Sequence, residues 1–148
     1  MRYAHTNIIA GDWQKLSLFY QNVFGCIPVP PKRDLSGEWV DKLTNMKNVH
    51  IEGEHLKLPG YDGYAPTLEI FSYHAMDFDN QKAINTAGFA HIAFEVDDVR
   101  ETLNKRTANG GSAVGEVVSK EYPGIVAGTF VYCKDIESNI IELQSWAK

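Results

Sequence analysis

The sequence predicts an α+β fold built from two tandem β-α-β-β-β modules, and three observations support this class. The chain has 148 residues, enough for one compact domain or for two small modules that share a core. A strand-like run followed by a capped helix and a glycine stop occurs twice along it. Residues of three different types also recur at a nearly constant spacing between the two halves.

The first module begins with a short strand-like run that leads into an amphipathic helix. Asp12 can cap this helix, because its carboxylate can accept hydrogen bonds from the first free amides. Apolar residues then follow at helical spacing, namely Trp13, Leu16, Tyr20 and Val23. Gly25 can end the helix, and three strand-like runs complete the module, the last being TLEIFSY at 67–73.

The second module repeats this plan from the segment GFAHIAFEVDDV onward. Asp98 is placed to cap a helix, and Glu101 three residues later completes a capping box. We expect this helix to end at Gly110. Three further strand-like runs follow, and the last of them, NIIELQSW, contains a carboxylate between large apolar residues, as TLEIFSY does.

The repeat is also numerical. Three pairs of equivalent residues are His5 and His91, Asp12 and Asp98, and Gly25 and Gly110, which are separated by 86, 86 and 85 residues. The carboxylates Glu69 and Glu142 are only 73 residues apart, so the first half carries extra residues. Residues 36–49 have the apolar spacing of a short helix, and we interpret them as a lid over a site. A surface excursion without function is the alternative.

These boundaries predict one domain over residues 1–148. Module one occupies 1–74, and module two occupies 89–148. Residues 75–88 are polar and nonperiodic, which is typical of a linker.

Composition restricts the class of partner. The net charge is −5, and no cluster of Lys and Arg offers the basic surface that nucleic acids require. No apolar run is long enough to cross a bilayer, and the first residues do not resemble a signal peptide, so we expect a cytoplasmic protein with no membrane partner. Cys26 and Cys133 form no CxxC pair and are expected to be reduced thiols. Small molecules are the expected partners.

Strand alternation places four ionisable residues on equivalent sheet faces: His5, Glu69, His91 and Glu142. For any one of them alone, a solvated sheet face is the ordinary explanation. A pseudo-twofold relation between the halves would bring the two imidazoles and two carboxylates together. Buried charges are tolerated only when paired or coordinated, so the set predicts one divalent metal ion. Nitrogen and oxygen ligands without a thiolate suit Ni, Co, Zn, Mn or Fe(II).

The other histidines are interpreted as ordinary surface or edge residues. His50 and His55 are five residues apart and therefore lie on opposite faces of a strand. His74 has the wrong parity to join Glu69.

The duplicated His and Glu set resembles the vicinal oxygen chelate superfamily, which includes glyoxalase I, methylmalonyl-CoA epimerase, extradiol dioxygenases and bleomycin- or fosfomycin-resistance proteins. The segment DIESNIIEL at 135–143 resembles the family's terminal D-P-x-G-N-x-x-E-L signature, with Ile136 in place of proline and Ser138 in place of glycine. The resemblance spans essentially the whole chain. It implies a curved, barrel-like mixed sheet with helices outside, and metal ligands at His5, Glu69, His91 and Glu142.

Glu69 selects among the members of this superfamily, because glyoxalase I has Glu at the matching position. The resemblance therefore implies a metal-dependent lyase or isomerase that abstracts a proton next to a metal-bound carbonyl through an enediolate. Glu142 is the expected base, and Glu69 could serve the opposite face. The expected substrate is a small molecule with vicinal oxygens, and it can carry glutathione, CoA, another thiol or none. We expect a homodimer, with the site formed within one chain or across the dimer.

Two alternative functions are compatible with the same sequence. The first is a metal-free small-molecule (drug) binding module like bleomycin-resistance protein, whose lining would be Trp39, Phe71, Tyr73, Phe130 and Tyr132. The second is an extradiol-type dioxygenase, which would use Fe(II) and consume oxygen with catechols.

Overall fold

The computed structural model describes residues 1–77, 83–122, 124 and 126–147. The chain divides into two compact units, Met1–Asp79 and Asn80–Lys148. The predicted modules one and two fall in the first and second unit, and these two names are used for them below. Part of the predicted linker, residues 78–82, lies outside the described residues.

Module one is a four-stranded mixed sheet with two helices. Its elements are β1 (His5–Ile9), α1 (Trp13–Phe24), β2 (Ile27–Ser36), α2 (Glu38–Thr44), β3 (His50–Lys57) and β4 (Thr67–Tyr73). The strand order is β1-β4-β3-β2. The first and last strands, β1 and β4, pair in parallel, while the other neighbours are antiparallel.

Module two repeats this topology with one helix. Its elements are β5 (Ile92–Glu95), α3 (Val99–Ala108), β6 (Ser112–Ala113), β7 (Val118–Lys120), β8 (Gly128–Lys134) and β9 (Ile140–Trp146). The strands β5 and β9 pair in parallel, β8 is antiparallel to β9, and the short strands β6 and β7 both pair with β8. The predicted α+β class with two repeated modules is confirmed, and in module two the short strands β6 and β7 together take the place of one strand along β8.

The helix caps anticipated from the sequence are present. The Asp12 carboxylate accepts from the amide of Lys15 at 3.0 Å, and Asp98 accepts from the amides of Arg100 and Glu101 at 2.7 and 2.9 Å. Such caps satisfy amides that have no partner within the helix. Helix α3 ends at Ala108, slightly before the expected stop at Gly110.

Helix α1 packs on one face of the module-one sheet. Its buried residues include Leu16, Phe19 and Tyr20, and the strands beneath it bury Leu68 and Ile70. A buried carboxylate on this face, that of Glu54, accepts a hydrogen bond from the Ser17 hydroxyl of α1. Because successive strand residues point to opposite faces, Glu69 lies on the other face, which we call the site face of module one.

Helix α2 lies within residues 36–49, where a short helix was expected, and it packs on the site face. Its Val40 is buried with Val49, Ile51 and Phe71. The inserted segment therefore covers the part of the site face that carries Phe71. A lid function for it stays a prediction.

No helix within the described ranges is long and apolar enough to cross a membrane. Both thiols, Cys26 and Cys133, are free and buried, in agreement with the expectation from their spacing. Burial raises the pKa of Cys26 to about 12 and that of Cys133 to about 11.

Replacing Gly53 by alanine is expected to destabilise module one by about 3 kcal/mol, because the new methyl group would overlap the backbone oxygen of Ile70 and the ring of Phe71. Gly115→Ala is the matched control, since nothing lies within 4 Å of a methyl group there. Urea unfolding of both variants measures the difference. Equal unfolding free energies for the two variants would contradict the tight approach of β3 to β4.

The two cysteines are expected to resist a thiol reagent in the folded protein, since they are both shielded and protonated at pH 8. Ellman's reagent should release almost no colour from native protein and two equivalents after denaturation in guanidinium chloride. Rapid labelling of either thiol without denaturant would show that its burial is wrong.

Candidate active site

The site face of module one brings together residues that are far apart in sequence. Parallel pairing of β1 with β4 sets Asn7 beside Glu69 and His5 beside Thr67. Antiparallel pairing of β3 with β4 sets His55 directly opposite Glu69. Paired residues in a sheet point to the same face, so these side chains share one surface.

The carboxylate of Glu69 is the centre of this polar cluster. Its Oε1 lies 2.9 Å from Nε2 of His55, and its Oε2 accepts a hydrogen bond from Nδ2 of Asn7 at 2.8 Å. Oε2 also lies 3.6 Å from Nε2 of His5. Nδ1 of His55 in turn contacts the Thr67 hydroxyl at 3.0 Å. Glu69 is therefore held in one orientation by neighbours from the two flanking strands, β1 and β3.

The interpretation of His55 as a surface or edge residue is wrong. It lies on β3, an interior strand, and its side chain is 17% exposed. Burial lowers the pKa of His55, the Glu69 carboxylate opposes this effect, and the charges of Arg33 and His5 add to it. The imidazole therefore favours its neutral form, which can accept or donate a hydrogen bond.

A signal for His55 was present in the sequence. The turn-rich segment LPGYDGYAP is centred on Asp62, and a hairpin folded about that centre places His55 opposite Glu69. His50, on the same strand as His55, lies on the opposite face, as the parity predicts. There it contacts Asp34 at 2.6 Å, and its ring packs against that of His74.

Module two places an equivalent pair on its own site face, defined as the face that carries Glu142. Pairing of β5 with β9 sets Ala93 beside Glu142, and β8 sets Tyr132 opposite it. Nε2 of His91 lies 3.1 Å from Oε2 of Glu142. The ring of Tyr132 packs against His91 with centroids 5.1 Å apart, which fixes the imidazole from one side.

The two glutamates differ in how firmly they are held. In module two, Ala93 takes the place of Asn7 and Tyr132 takes the place of His55. Among the described residues, the Glu142 carboxylate therefore has His91 as its polar contact, whereas Glu69 has three. The Glu142 side chain is 19% exposed and has more freedom to rotate.

The aromatic residues proposed as a ligand lining are distributed over both modules. Phe71 and Tyr73 lie on the site face of module one, and Phe71 is buried beneath α2. Trp39, on α2, is 55% exposed. Phe130 and Tyr132 lie on the site face of module two.

Each predicted pair is thus assembled within its own module, His5 with Glu69 and His91 with Glu142. The meeting of all four residues at one cation stays a prediction. Within the part of the chain that the structure describes, no group of three or more His, Cys, Asp or Glu side chains is arranged to hold a metal ion. In module one, the His55 and His5 imidazoles each approach a different oxygen of Glu69.

Solved structures share this fold. A glyoxalase family protein from Bacillus cereus is 20% identical with a TM-score of 0.85, over 100% of this chain and 95% of that one. A glyoxalase family protein from Enterococcus faecalis is 20% identical with a TM-score of 0.64, over 97% and 96%. The fosfomycin resistance protein FosX from Listeria monocytogenes, in complex with Mn(II) and sulfate, is 16% identical with a TM-score of 0.55, over 99% and 93%.

A search of curated protein sequences finds no significant match. A family model does match the chain, and it covers residues 2–143. This range includes both His and Glu pairs and confirms the resemblance drawn from them. The chain belongs to the glyoxalase/bleomycin resistance protein/dioxygenase superfamily.

Proposed function

We propose that this protein is a metal-dependent lyase or isomerase that removes a proton from the carbon next to a substrate carbonyl. The observation that carries the proposal is the duplicated pair: each module places a histidine and a glutamate at the same register on its site face. A sheet face that merely contacts solvent does not require a His and Glu pair. The presence of the same pair in both halves of this superfamily member therefore favours a function.

The donor chemistry of these pairs fits one divalent cation. Imidazole nitrogens and carboxylate oxygens are ligands for Ni, Co, Zn, Mn and Fe, and FosX, a structural neighbour, has been crystallised with Mn(II). His5, Glu69, His91 and Glu142 would hold the ion, from one chain or from the two chains of a homodimer. A bound cation would withdraw electron density from a substrate carbonyl and so acidify the neighbouring C–H bond.

Glu142 is the residue that we assign as the base. Its carboxylate accepts the proton from the substrate carbon and becomes a carboxylic acid, whose proton exchanges with solvent water before one proton is delivered to the adjacent carbon, so that no proton is gained or lost overall. This role requires a carboxylate that can move between two carbons. Among the described residues Glu142 has one polar contact, with His91, which allows such movement better than the three contacts of Glu69 do.

We assign Glu69 to holding the metal ion. In catalysis it would act on the substrate face opposite to the one that Glu142 serves. Asn7 and His55 fix both of its oxygens, so its carboxylate is already oriented before any ligand binds. Orientation of this kind lowers the entropy cost of binding, because fewer side-chain rotamers are lost. His55 acts on the site through Glu69 and is therefore a positioning residue.

Metal content provides the first test. Purified protein reconstituted with each divalent metal should retain about one ion per chain after desalting, and Glu142→Ala or His91→Ala should lose most of it. Glu116→Ala is the matched control, because Glu116 is an exposed carboxylate of module two that lies outside its strands and helix. Elemental analysis gives the ratio.

Two results of this measurement would contradict the proposal. Folded protein that retains no metal under any loading would favour the metal-free binding module. Selective retention of Fe(II), with oxygen consumption when catechols are added, would favour the dioxygenase.

Isotope exchange provides the second test. In deuterated water, the wild-type protein should exchange the α-proton of hemithioacetal, 2-hydroxy acid or acyl-CoA substrates, as followed by proton NMR. Glu142→Gln should slow this exchange by about a hundred- to ten-thousand-fold, the usual contribution of a general base. Glu69→Gln should slow it less, and Glu116→Gln should leave it unchanged. Equal exchange in wild type and Glu142→Gln would remove Glu142 from the mechanism.

A further inference from the structure

Three aromatic side chains form a cluster at one end of the module-two sheet. Phe130 and Trp146 meet edge to face with centroids 5.2 Å apart, and Tyr122 lies 6.2 and 6.1 Å from them. These separations are those of favourable aromatic contacts. We call Tyr122, Phe130 and Trp146 the aromatic ladder.

The aromatic ladder starts next to Glu142 and extends away from it on the same face. Phe130 is paired with Gln144, the second residue after Glu142 on β9, and Trp146 is the fourth. Residues two apart on a strand are about 7 Å apart, and residues four apart about 13 Å. A rigid ring on the ladder would therefore lie within a few bonds of a carbon held at Glu142.

The backbone beneath the ladder is adapted to it. Gly128 pairs with Trp146, and a methyl group at Gly128 would overlap the rings of Phe130 and Trp146. A side chain at this position would collide with both rings, so glycine is required for them to pack over β8. The ladder is therefore a built feature of the strand pair, and its ring orientations are fixed by the backbone.

In module one, helix α2 covers the corresponding part of the site face. In module two, the aromatic ladder is partly exposed at the same place. In module one, Ile51, Phe71 and Tyr73 occupy the matching stretch of the site face, and Val40 of the inserted helix α2 packs onto it. In the described part of module two, no helix is inserted between β7 and β8. Tyr122 is 40% exposed, and Phe130 and Trp146 are only half-buried.

We propose that the aromatic ladder binds an aromatic ring of the substrate, so that the substrate class is an aryl-substituted carbonyl compound with vicinal oxygens. Placement of its reacting end at Glu142 rests on the function proposed above, whereas binding of the ring does not. An aromatic ring fits this surface, because the ladder presents the faces and edges of its rings on the same sheet face as the Glu142 carboxylate. In module two, a bound ring would cover the part of the site face that α2 covers in module one.

The test compares the binding of two ligands that differ only by a phenyl ring in place of a methyl group. Phenylglyoxylate and pyruvate are both 2-oxo acids, and phenylglyoxylate has no α-proton to exchange. Equilibrium dialysis against metal-loaded and metal-free protein should show phenylglyoxylate binding at least about tenfold more tightly than pyruvate, since ring contacts of this kind are worth such a factor. Trp146→Ala should reduce the ratio to near one.

Two further variants keep the test decisive. Phe130→Leu retains an apolar side chain and should fold as the wild type does, yet it should lower the ratio by several-fold. Tyr61→Ala removes an exposed aromatic residue of module one and should leave the ratio unchanged. Sedimentation of each variant reports whether a second copy of the chain covers the ladder instead.

The outcomes separate the two proposals. A ring preference that Trp146→Ala abolishes supports the ladder even where α-proton exchange is absent. Exchange that shows no preference for aryl over methyl substrates, together with equal ligand ratios in wild type and Trp146→Ala, overturns the ladder and leaves the proton-transfer function standing. Dissociation of a dimer by Trp146→Ala, with no change in the ligand ratio, also overturns it.

Discussion

The parallel pairing of the first strand with the last strand in each module is the contact on which the candidate site depends. In module one, the pairing of β1 with β4 brings His5 and Asn7 to Glu69 across more than sixty residues of sequence. In module two, the pairing of β5 with β9 does the same for His91 and Glu142. Parallel strands need a crossover connection, and helices α1 and α3 form the first part of it in their modules.

Each His and Glu pair is also an electrostatic compromise. A carboxylate that is only 14% or 19% exposed has lost much of its hydration, and a nearby imidazole offsets part of that cost. Asn7 offsets more of it in module one through a neutral hydrogen bond. Half-buried carboxylates of this kind are poorly explained by stability alone, because an apolar pair of similar volume would pack at lower cost. Their retention in both modules is consistent with a role in binding.

The two modules surround their glutamates with different side chains. His55 and Asn7 fix Glu69, whereas Tyr132 and Ala93 leave Glu142 with one polar contact among the described residues. The insertion that contains α2 covers the apolar end of the site face of module one, whereas the equivalent end in module two carries the aromatic ladder. The duplicated scaffold thus carries two His and Glu pairs with unequal surroundings.

The sequence by itself determined the module plan, because the caps Asp12 and Asp98, the glycine stops and the strand periodicity are local signals that repeat along the chain. It also selected the paired residues His5, Glu69, His91 and Glu142, since strand parity assigns a face without knowledge of neighbours. Tertiary structure decided which side chains lie opposite them, although the turn-rich segment at 58–66 carries a local signal for His55. Cross-strand register is set by pairing between distant segments, and it was this register that placed His55 on Glu69, Tyr132 on Glu142 and Phe130 beside Trp146.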